Sequence, residues 1–399
     1  MKFQTNLSIF QKLISKVNLV LPQKSAIPVL EHIYISLESN KLKAISSDKD
    51  ISILSWVEVD GSVDGKILIP GKKVNDLIKS YSGALLITLE ADTENYDIKI
   101  TIGEGVYKFK GLNPEDYLSL PELFNEEKPD ISSMESEQSL IEGGKYFVMK
   151  RDDLVRLATK TSISISDDEY RPSMTGVLFQ FRENYINAVS TDSYRLVKAS
   201  SQLEKPSKIN DLDVIIPGKS IEFLKKLDEE EIALSFVENN NKISHIRFDY
   251  GNTIFVTKLI DEKFPPYDVV IPSNNNLELM IDKNQFLNKL KPLSTMANKK
   301  SSQIRMTINP SNLTITFNDD EAQTSGQDSI NCEFNSENFE VAFNIKFIED
   351  ALNNISDNDT SNNIIKITFS EPSKPTLVLP INDKNDLLML IMPVRLATN

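Results

Sequence analysis

The sequence predicts an α+β protein made of three repeated domains, each with two helices packed on antiparallel sheet. Three observations carry that reading. The string ILIPGKKVNDLIKSY (67–81) returns as VIIPGKSIEFLKKL (214–227), with Pro70 and Pro217 147 residues apart. KAISSD (43–48) returns as NAVSTD (187–192), 144 residues on. A single further offset of 127 carries Asp192 to Asp319 and Ile221-Glu222 to Ile348-Glu349, which marks a weaker third copy.

An amphipathic helix is expected to open each copy. Phe10, Leu13, Ile14 and Val17 share one helical face, as do Leu154, Leu157 and Ala158, and then Phe286, Leu290 and Leu293. A second helix follows in each. Its stripe is Val74, Leu77, Ile78 and Tyr81 in the first copy and Ile348, Ala351, Leu352 and Ile355 in the third. The helical spans read as 7–20, 71–82, 150–161, 218–228, 282–292 and 345–355. Between and after them come YDIKITI (96–102), ISHIRF (243–248), TIFVTKL (253–259), LTITF (313–317) and IIKITF (364–369). Apolar residues alternate there with period two, the pattern of half-buried antiparallel strands. Gly103-Glu104-Gly105 reads as a hairpin turn.

PGKS (217–220) resembles the tail of a phosphate-binding loop. That loop needs an early glycine to let backbone N–H groups wrap the phosphate. The position falls at 213, an Asp, and the first copy ends in Lys72-Lys73 with no hydroxyl. A strand–turn–helix junction used more than once explains both strings. The domains are read as 1–123, 144–270 and 271–397, with 124–143 as linker. The stretch 124–145 is acidic and polar and is expected to be mobile. IPSNNN (271–276) is a short join, and SDNDTSNN (356–363) is a loop after the last helix.

A chain of 399 residues has room for two or three domains, and 40% hydrophobic with 26% charged content fits an ordinary globular protein. No apolar run approaches the roughly 20 residues of a membrane span. MKFQTNLSIFQ lacks the apolar core of a signal peptide, and a lone Cys332 excludes an intrachain disulfide framework. A cytoplasmic location is expected. The net charge of −14 argues against wholesale nucleic-acid binding, but its distribution matters more than its sum. The six helical spans carry +8 together, which leaves −22 on the rest. Two readings fit: lysine decorates solvated helix faces, or the helices of all three domains point at one polyanion. Lys12 and Lys16, four apart, share the face away from the apolar stripe. Nothing offers base-edge readout, so such binding would be to backbone phosphate and salt-sensitive.

No catalytic reading emerges. His32 and His245 lie in strand-like stretches with no Cys or His at ligand spacing, and Cys332 has no His close in sequence. Asp167-Asp168-Glu169, Glu229-Glu230-Glu231 and Asp319-Asp320-Glu321 raise the alternative of a metal-dependent nuclease, but no His or Lys accompanies them. They read as solvated acidic runs. A repeat scaffold that binds proteins but not DNA is the other alternative. No cofactor and no metal are expected.

Several short strings in the right order are similar to the bacterial β sliding clamp family, the processivity subunit of DNA polymerase III. They are MKF at the start, IPVL (27–30), STDSYRLV (190–197), KLIDEKFPPYDVVIP (258–272) and MPVRL (392–396). The resemblance implies a head-to-tail homodimer of clamp-type domains closing a ring around double-stranded DNA, with helices inward and sheets outward. It implies no enzyme activity and no membrane partner. Its partners would be the polymerase catalytic subunit, the clamp loader and other proteins bearing a clamp-binding motif. Lys24, Lys72, Lys73, Lys79 and Lys219, with Lys12 and Lys16, would face DNA. The ring contact would involve Tyr107, Phe109 and Met296.

The resemblance also implies a partner-peptide pocket between the second and third domains. Arg171, Met174, Gly176, Thr191, Arg195 and Leu196 would supply one side. Pro265, Val270, Pro375 and Leu390 would supply another. Met392, Pro393, Val394, Arg395 and Leu396 would close it. Apolar, flexible side chains at the chain's end suit a peptide anchor. By themselves those residues would also fit a last edge strand packed in the core. The family usually has Gly and His where this chain has Ser193 and Tyr194. The Ser alters a backbone position that tolerated any φ, and the Tyr narrows or reshapes the pocket. The linker is also longer than usual in the family, and three residues follow Leu396.

Overall fold

A computed structural model describes residues 1–22, 24–117, 145–203, 211–239, 242–296, 302–319, 322–356, 359–360, 362–381 and 386–395. The expected linker 124–143 and Leu396 lie outside them. The chain forms two compact units, Met1–Asp152 with Leu227–Leu259, and Asp153–Lys226 with Ile260–Asn399.

The chain opens with β1 (Lys2–Asn6), α1 (Leu7–Asn18), β2 (His32–Glu38), β3 (Lys41–Ser47), β4 (Ile51–Glu58), β5 (Asp60–Val63) and β6 (Gly65–Pro70). Next are α2 (Gly71–Lys79), β7 (Leu86–Ala91), β8 (Asp97–Ile102), β9 (Gly105–Lys110) and β10 (Lys145–Lys150). Then follow α3 (Arg151–Ser162), β11 (Gly176–Phe181), β12 (Tyr185–Thr191), β13 (Arg195–Gln202), β14 (Leu212–Pro217) and α4 (Gly218–Leu224). The stretch after α4 holds β15 (Glu231–Asn239), β16 (Lys242–Tyr250) and β17 (Thr253–Lys258). The rest holds β18 (Leu277–Asp282), α5 (Lys283–Met296), β19 (Gln303–Asn309), β20 (Asn312–Asp319), β21 (Thr324–Asn331) and β22 (Glu333–Phe334). It ends with β23 (Phe339–Asn344), α6 (Ile345–Asn354), β24 (Ile364–Phe369), β25 (Thr376–Pro380) and β26 (Leu387–Ile391).

The six helices fall within a few residues of the expected spans and bury most of the expected faces, though α4 stops at Leu224 and Leu77 and Tyr81 are only half-buried. Phe10, Leu13, Ile14 and Val17 are buried in α1, and Ile348, Ala351 and Leu352 in α6. The Gln11 amide crosses from α1 to the end of α2, donating to the carbonyls of Ile78 at 2.6 Å and Tyr81 at 3.1 Å. Each copy opens on a strand rather than on a helix: β1 precedes α1, β10 precedes α3 and β18 precedes α5. In β1 only Phe3 and Thr5 turn inward, between Lys2, Gln4 and Asn6, and five residues are too few for the alternation to stand out.

Both Pro-Gly-Lys strings are strand-to-helix junctions, β6 into α2 and β14 into α4. The glycines serve close packing. A Cβ on Gly71 would stand 2.6 Å from Leu21, and one on Gly218 3.0 Å from the Thr175 carbonyl oxygen. The Gly103 turn joins β8 to β9 as expected, with φ +57° at Gly103.

The first unit holds sheets in the orders β5-β1-β7-β8-β9 and β10-β15-β16-β17-β4-β3-β2-β6. The second holds β14-β11-β12-β13-β26-β25-β24-β18-β22 and β21-β20-β19-β23. The two long sheets cross the expected domain limits. β17 of the second copy pairs with β4 of the first, and β26 of the third pairs with β13 of the second. The two joints share one register. Leu54 lies opposite Ile254, and Lys198, 144 residues beyond Leu54, lies opposite Leu388. β26 is therefore an interior strand and not the edge strand its apolar sequence suggested.

The same turn feeds both joints. In the first copy Asp48 Oδ1 accepts from the backbone N–H of Asp50 at 3.1 Å and of Ile51 at 2.8 Å. The Ser47 hydroxyl donates to the Ile51 carbonyl at 3.1 Å and accepts from Lys49 N–H at 3.2 Å. In the second copy Asp192 Oδ1 accepts from Tyr194 and Arg195 N–H, both at 2.9 Å. There the Thr191 hydroxyl donates to the Arg195 carbonyl at 2.8 Å and accepts from Ser193 N–H at 3.2 Å. Lys258 N–H donates to the Asp50 carbonyl, and Met392 N–H to the Tyr194 carbonyl, each at 2.8 Å. Lys49 and Ser193 both take left-handed backbone, at φ +87° and +77°. The pattern KAISSD/NAVSTD is thus a side-chain-capped turn, and Asp is required because its carboxylate replaces a backbone acceptor. In the third copy Asp319 Oδ1 accepts from Ala322 N–H at 3.1 Å.

The loop 356–363 follows the last helix as expected, and its Asp359 is buried and receives the buried Lys160 ammonium at 2.5 Å, a clasp on α3.

Candidate functional site

The residues assigned to a peptide pocket all lie in the second unit. Its apolar floor is built where β13 meets β26. Leu196 and Leu390 are opposite partners in that pair and belong to one cluster with Leu178, Val189, Ile215 and Leu377, covered by Phe264 and Tyr267. Met392 packs on the same cluster. Pro265 sits between the covering Phe264 and the 3-10 turn Tyr267–Val270, whose Val270 is exposed. The Tyr267 hydroxyl donates to Gln180 Oε1 at 2.6 Å, and burial pushes its pKa up to about 12.

The turn 191–195 forms one wall. Ser193 Oγ accepts from Arg171 Nη1 at 2.5 Å and lies 3.5 Å from Met174 Sδ. Arg171 Nε also holds Asp168 at 2.8 Å, which keeps that carboxyl below its ordinary pKa. Arg195 bridges Asp192 at 2.9 Å and Asp350 at 2.5 Å, with its guanidinium 4.6 Å from the Phe347 ring centre. Tyr194, 62% exposed, stacks on the same ring at 6.3 Å. Gly176 opens β11 where a Cβ would collide with the Ile216 carbonyl.

The structure therefore brings Arg171, Met174, Thr191, Ser193, Tyr194, Arg195, Leu196, Leu390 and Met392 together. Other candidates are tied elsewhere: the Pro375 carbonyl accepts from Asn275 at 3.0 Å, Val394 bridges to Ala342, and the Arg395 carbonyl accepts from Gln303 at 3.4 Å. Pro393 follows Met392 and is half-buried. Phe347, Asp350, Phe264 and Tyr267 border the same floor and turn and were not among the expected residues. The first two sit on α6, where the helical stripe is a sufficient account of the pattern. Only Phe264 and Tyr267 left a trace, flanking the quoted Pro265.

The lysines divide. Lys12, Lys24, Lys72, Lys73, Lys79 and Lys219 are exposed. Lys16 is half-buried, 3.2 Å from Asp228 and 5.8 Å from the Tyr250 ring centre, so the face it shares with Lys12 is only partly open. Other helix cations have partners within the chain. Arg156 pairs with Asp386 at 2.7 Å, Lys225 with Glu222 at 2.6 Å and Lys289 with Asp328 at 2.9 Å, while buried Lys283 donates to the Ile355 carbonyl. The +8 read along the helices thus overstates what solvent meets.

Tyr107 and Phe109 lie half-buried on β9, the outermost strand of its sheet, and the Tyr107 hydroxyl meets that of Tyr81. Met296 ends α5 and is exposed. The acidic runs have structural partners: Asp168 with Arg171, Glu229 with Lys16 at 4.0 Å, and Asp319 in its turn. Among the described residues no group of three His, Cys, Asp or Glu could hold a metal ion, and no helix is long and apolar enough to cross a membrane.

Repeated helix pairs on antiparallel sheets, joined strand to strand, define a three-domain α+β protein. Its three stretches match, in order, the N-terminal domain of the DNA polymerase III beta subunit over 1–121, the central domain over 148–266 and the C-terminal domain over 268–395. The chain belongs to the DNA polymerase III beta subunit family. It is 26% identical over 397 residues to the beta sliding clamp of Chlamydia trachomatis, covering 99% of this chain and 87% of that one. The crystal structure of the DNA polymerase III subunit beta from Pseudomonas aeruginosa superposes with a TM-score of 0.85 at 25% identity, covering 99% of this chain and 100% of that one.

Proposed function

We infer that this chain is a sliding clamp: a non-catalytic processivity subunit that encircles duplex DNA without sequence preference and tethers the polymerase and other replication proteins. The observation that carries the ring is the repeated joint. Each copy ends in a strand that pairs with the hairpin of the copy before it, β17 on β4 and β26 on β13. By that logic β9 of the first copy should pair with β21 of the third. In this chain both are outermost strands of their sheets. The missing partner is a second chain, added head to tail, and two chains of three domains close on themselves.

The shared register makes the contact specific. Ile53 opposite Phe255 and Val197 opposite Met389 are the two in-chain instances. Ser190, opposite Val197, has Phe317 as its counterpart 127 residues on, and Phe317 pairs with Gly326; the partner we assign to it in the second chain is Tyr107. The ring of Phe317 takes the space that a Gly326 side chain would fill. Phe109 follows in the same strand, and Met296 is the weakest of the three contact candidates.

The exposed Lys12, Lys24, Lys72, Lys73, Lys79 and Lys219 suit sliding, screened contacts to phosphate. The apolar floor at β13–β26 suits a partner's linear peptide. The test is retention on closed circular DNA, lost when the circle is cut, by a particle that sediments as a dimer. A monomer at micromolar concentration, or equal retention on both DNA forms, overturns the reading. Lys79→Gln should lower the slope of log affinity against log salt by about 0.9. Lys16→Gln should leave that slope unchanged, because its ammonium already serves Asp228.

A further inference from the structure

The two joint turns have the same backbone and the same hydrogen bonds, yet their tips differ. Lys49 and Asp50 are exposed charges at the first. At the second, Ser193 reaches sideways to two further residues, Arg171 at 2.5 Å and Met174 at 3.5 Å. Arg171 Nη1 donates to the hydroxyl, and the hydroxyl proton points to the thioether. Arg171 is in turn anchored by Asp168 at 2.8 Å. Met174 closes the 3-10 turn Pro172–Met174 immediately before β11, whose Leu178 belongs to the apolar floor. A methionine has three rotatable side-chain bonds and fills whatever space is offered unless something holds its sulfur.

We propose that Ser193 is a positioning residue that pins Met174 and so sets the width of the pocket mouth, favouring slim aliphatic anchors over aromatic ones. This rests on the peptide-pocket reading of the same site. The chain of contacts runs from Asp168 through Arg171 and Ser193 to Met174. It fixes a side chain that would otherwise move aside for a bulky guest.

Two otherwise identical linear peptides, one with Leu and one with Phe at the anchor position, test it by calorimetry on the full-length protein. Methionine-methyl NMR follows Met174 and Met392 alongside. Ser193→Ala removes the hydroxyl and keeps the Cβ; Ser193→Gly removes both. Each variant should shift the Leu-to-Phe affinity ratio toward Phe at least threefold, and move the Met174 methyl signal toward a rotamer-averaged position while Met392 stays put. A ratio unchanged in both variants overturns the proposal. So does a shift confined to Ser193→Gly, which would assign the effect to backbone freedom. If neither peptide binds the unaltered chain nor perturbs either methyl, the pocket reading itself falls and the proposal with it.

Discussion

The joint at β4–β17 and the joint at β13–β26 are one construction in two different surroundings. Around the first, Ile45, Leu54, Leu68, Ile254 and Val256 are buried together and covered by Tyr117, while Lys41 lies 4.6 Å over the Trp56 ring. Around the second, the equivalent floor is covered by Phe264 and Tyr267, and its surroundings expose Tyr170, Tyr194, Val269 and Val270. Register, capped turn and apolar floor hold two copies together; on the peptide-pocket reading, side chains at the turn tip and on the neighbouring 3-10 turns would receive the ligand.

That separation can be broken most severely from beneath. Arg247 and Asp249 are both fully buried on β16, joined through two contacts at 2.8 and 2.7 Å, and β16 supports β17. Asp249→Ala leaves the guanidinium buried without its carboxylate. We expect a loss of about 3–5 kcal/mol in urea unfolding. Spectroscopic probes in the first unit should lose their signal before those in the second.

Truncating the two floors comes next. Ile254→Ala and Leu390→Ala should each cost about 2–5 kcal/mol, since both side chains are almost fully buried. Only Leu390→Ala should also weaken peptide binding. Equal effects on binding would mean that the two joints are not functionally distinct.

The clasp on α3 gives the second unit its own acid response. Burial disfavours the Asp359 carboxylate, but hydrogen bonds from Lys160 and Ser356 outweigh it and hold the pKa below the ordinary 3.8. A depressed folded-state pKa means the stabilisation is complete above that value and is lost as pH falls through the lower, folded one. Lys160→Met should cost about 2 kcal/mol at pH 7. It should also flatten the fall in stability between pH 4 and more acid conditions, measured by urea unfolding at each pH.

The smallest effect on stability sharpens the contrast most. Exchanging Ser193-Tyr194 for the Lys-Asp of the first turn should change stability by under about 1 kcal/mol, because the capped backbone already accepts that pair in the first copy. Peptide affinity should fall at least tenfold as Tyr194 and its stack on Phe347 are lost, read by calorimetry.

The helices and most strands were legible because their periodicity is local. The repeat was legible because Asp48 and Asp192 do the same work at turns that tolerate few other residues. What escaped was decided by partners far away in sequence. β1 is too short to carry a period. Asp359 is a loop residue as expected, but nothing nearby announces its buried partner Lys160, almost 200 residues earlier. Lys16 and Lys12 look alike on a helical wheel, and only the position of Asp228 tells them apart. Half the proposed pocket wall was legible through the turn and the chain's last apolar run. Phe347 and Asp350 were not, since an amphipathic helix gives no sign of what its flank will touch.

Neither compact unit is a single run of chain; the polypeptide passes between them three times, near residues 152, 226 and 259. Cutting the gene at the limits of a repeat would therefore strip β4 of β17, or β13 of β26, and leave a raw hydrogen-bonding margin in water. Such a fragment invites aggregation even if every residue of its repeat is present. A minimal piece has to be tailored along the seams, with residues 227–259 grafted back onto the first unit.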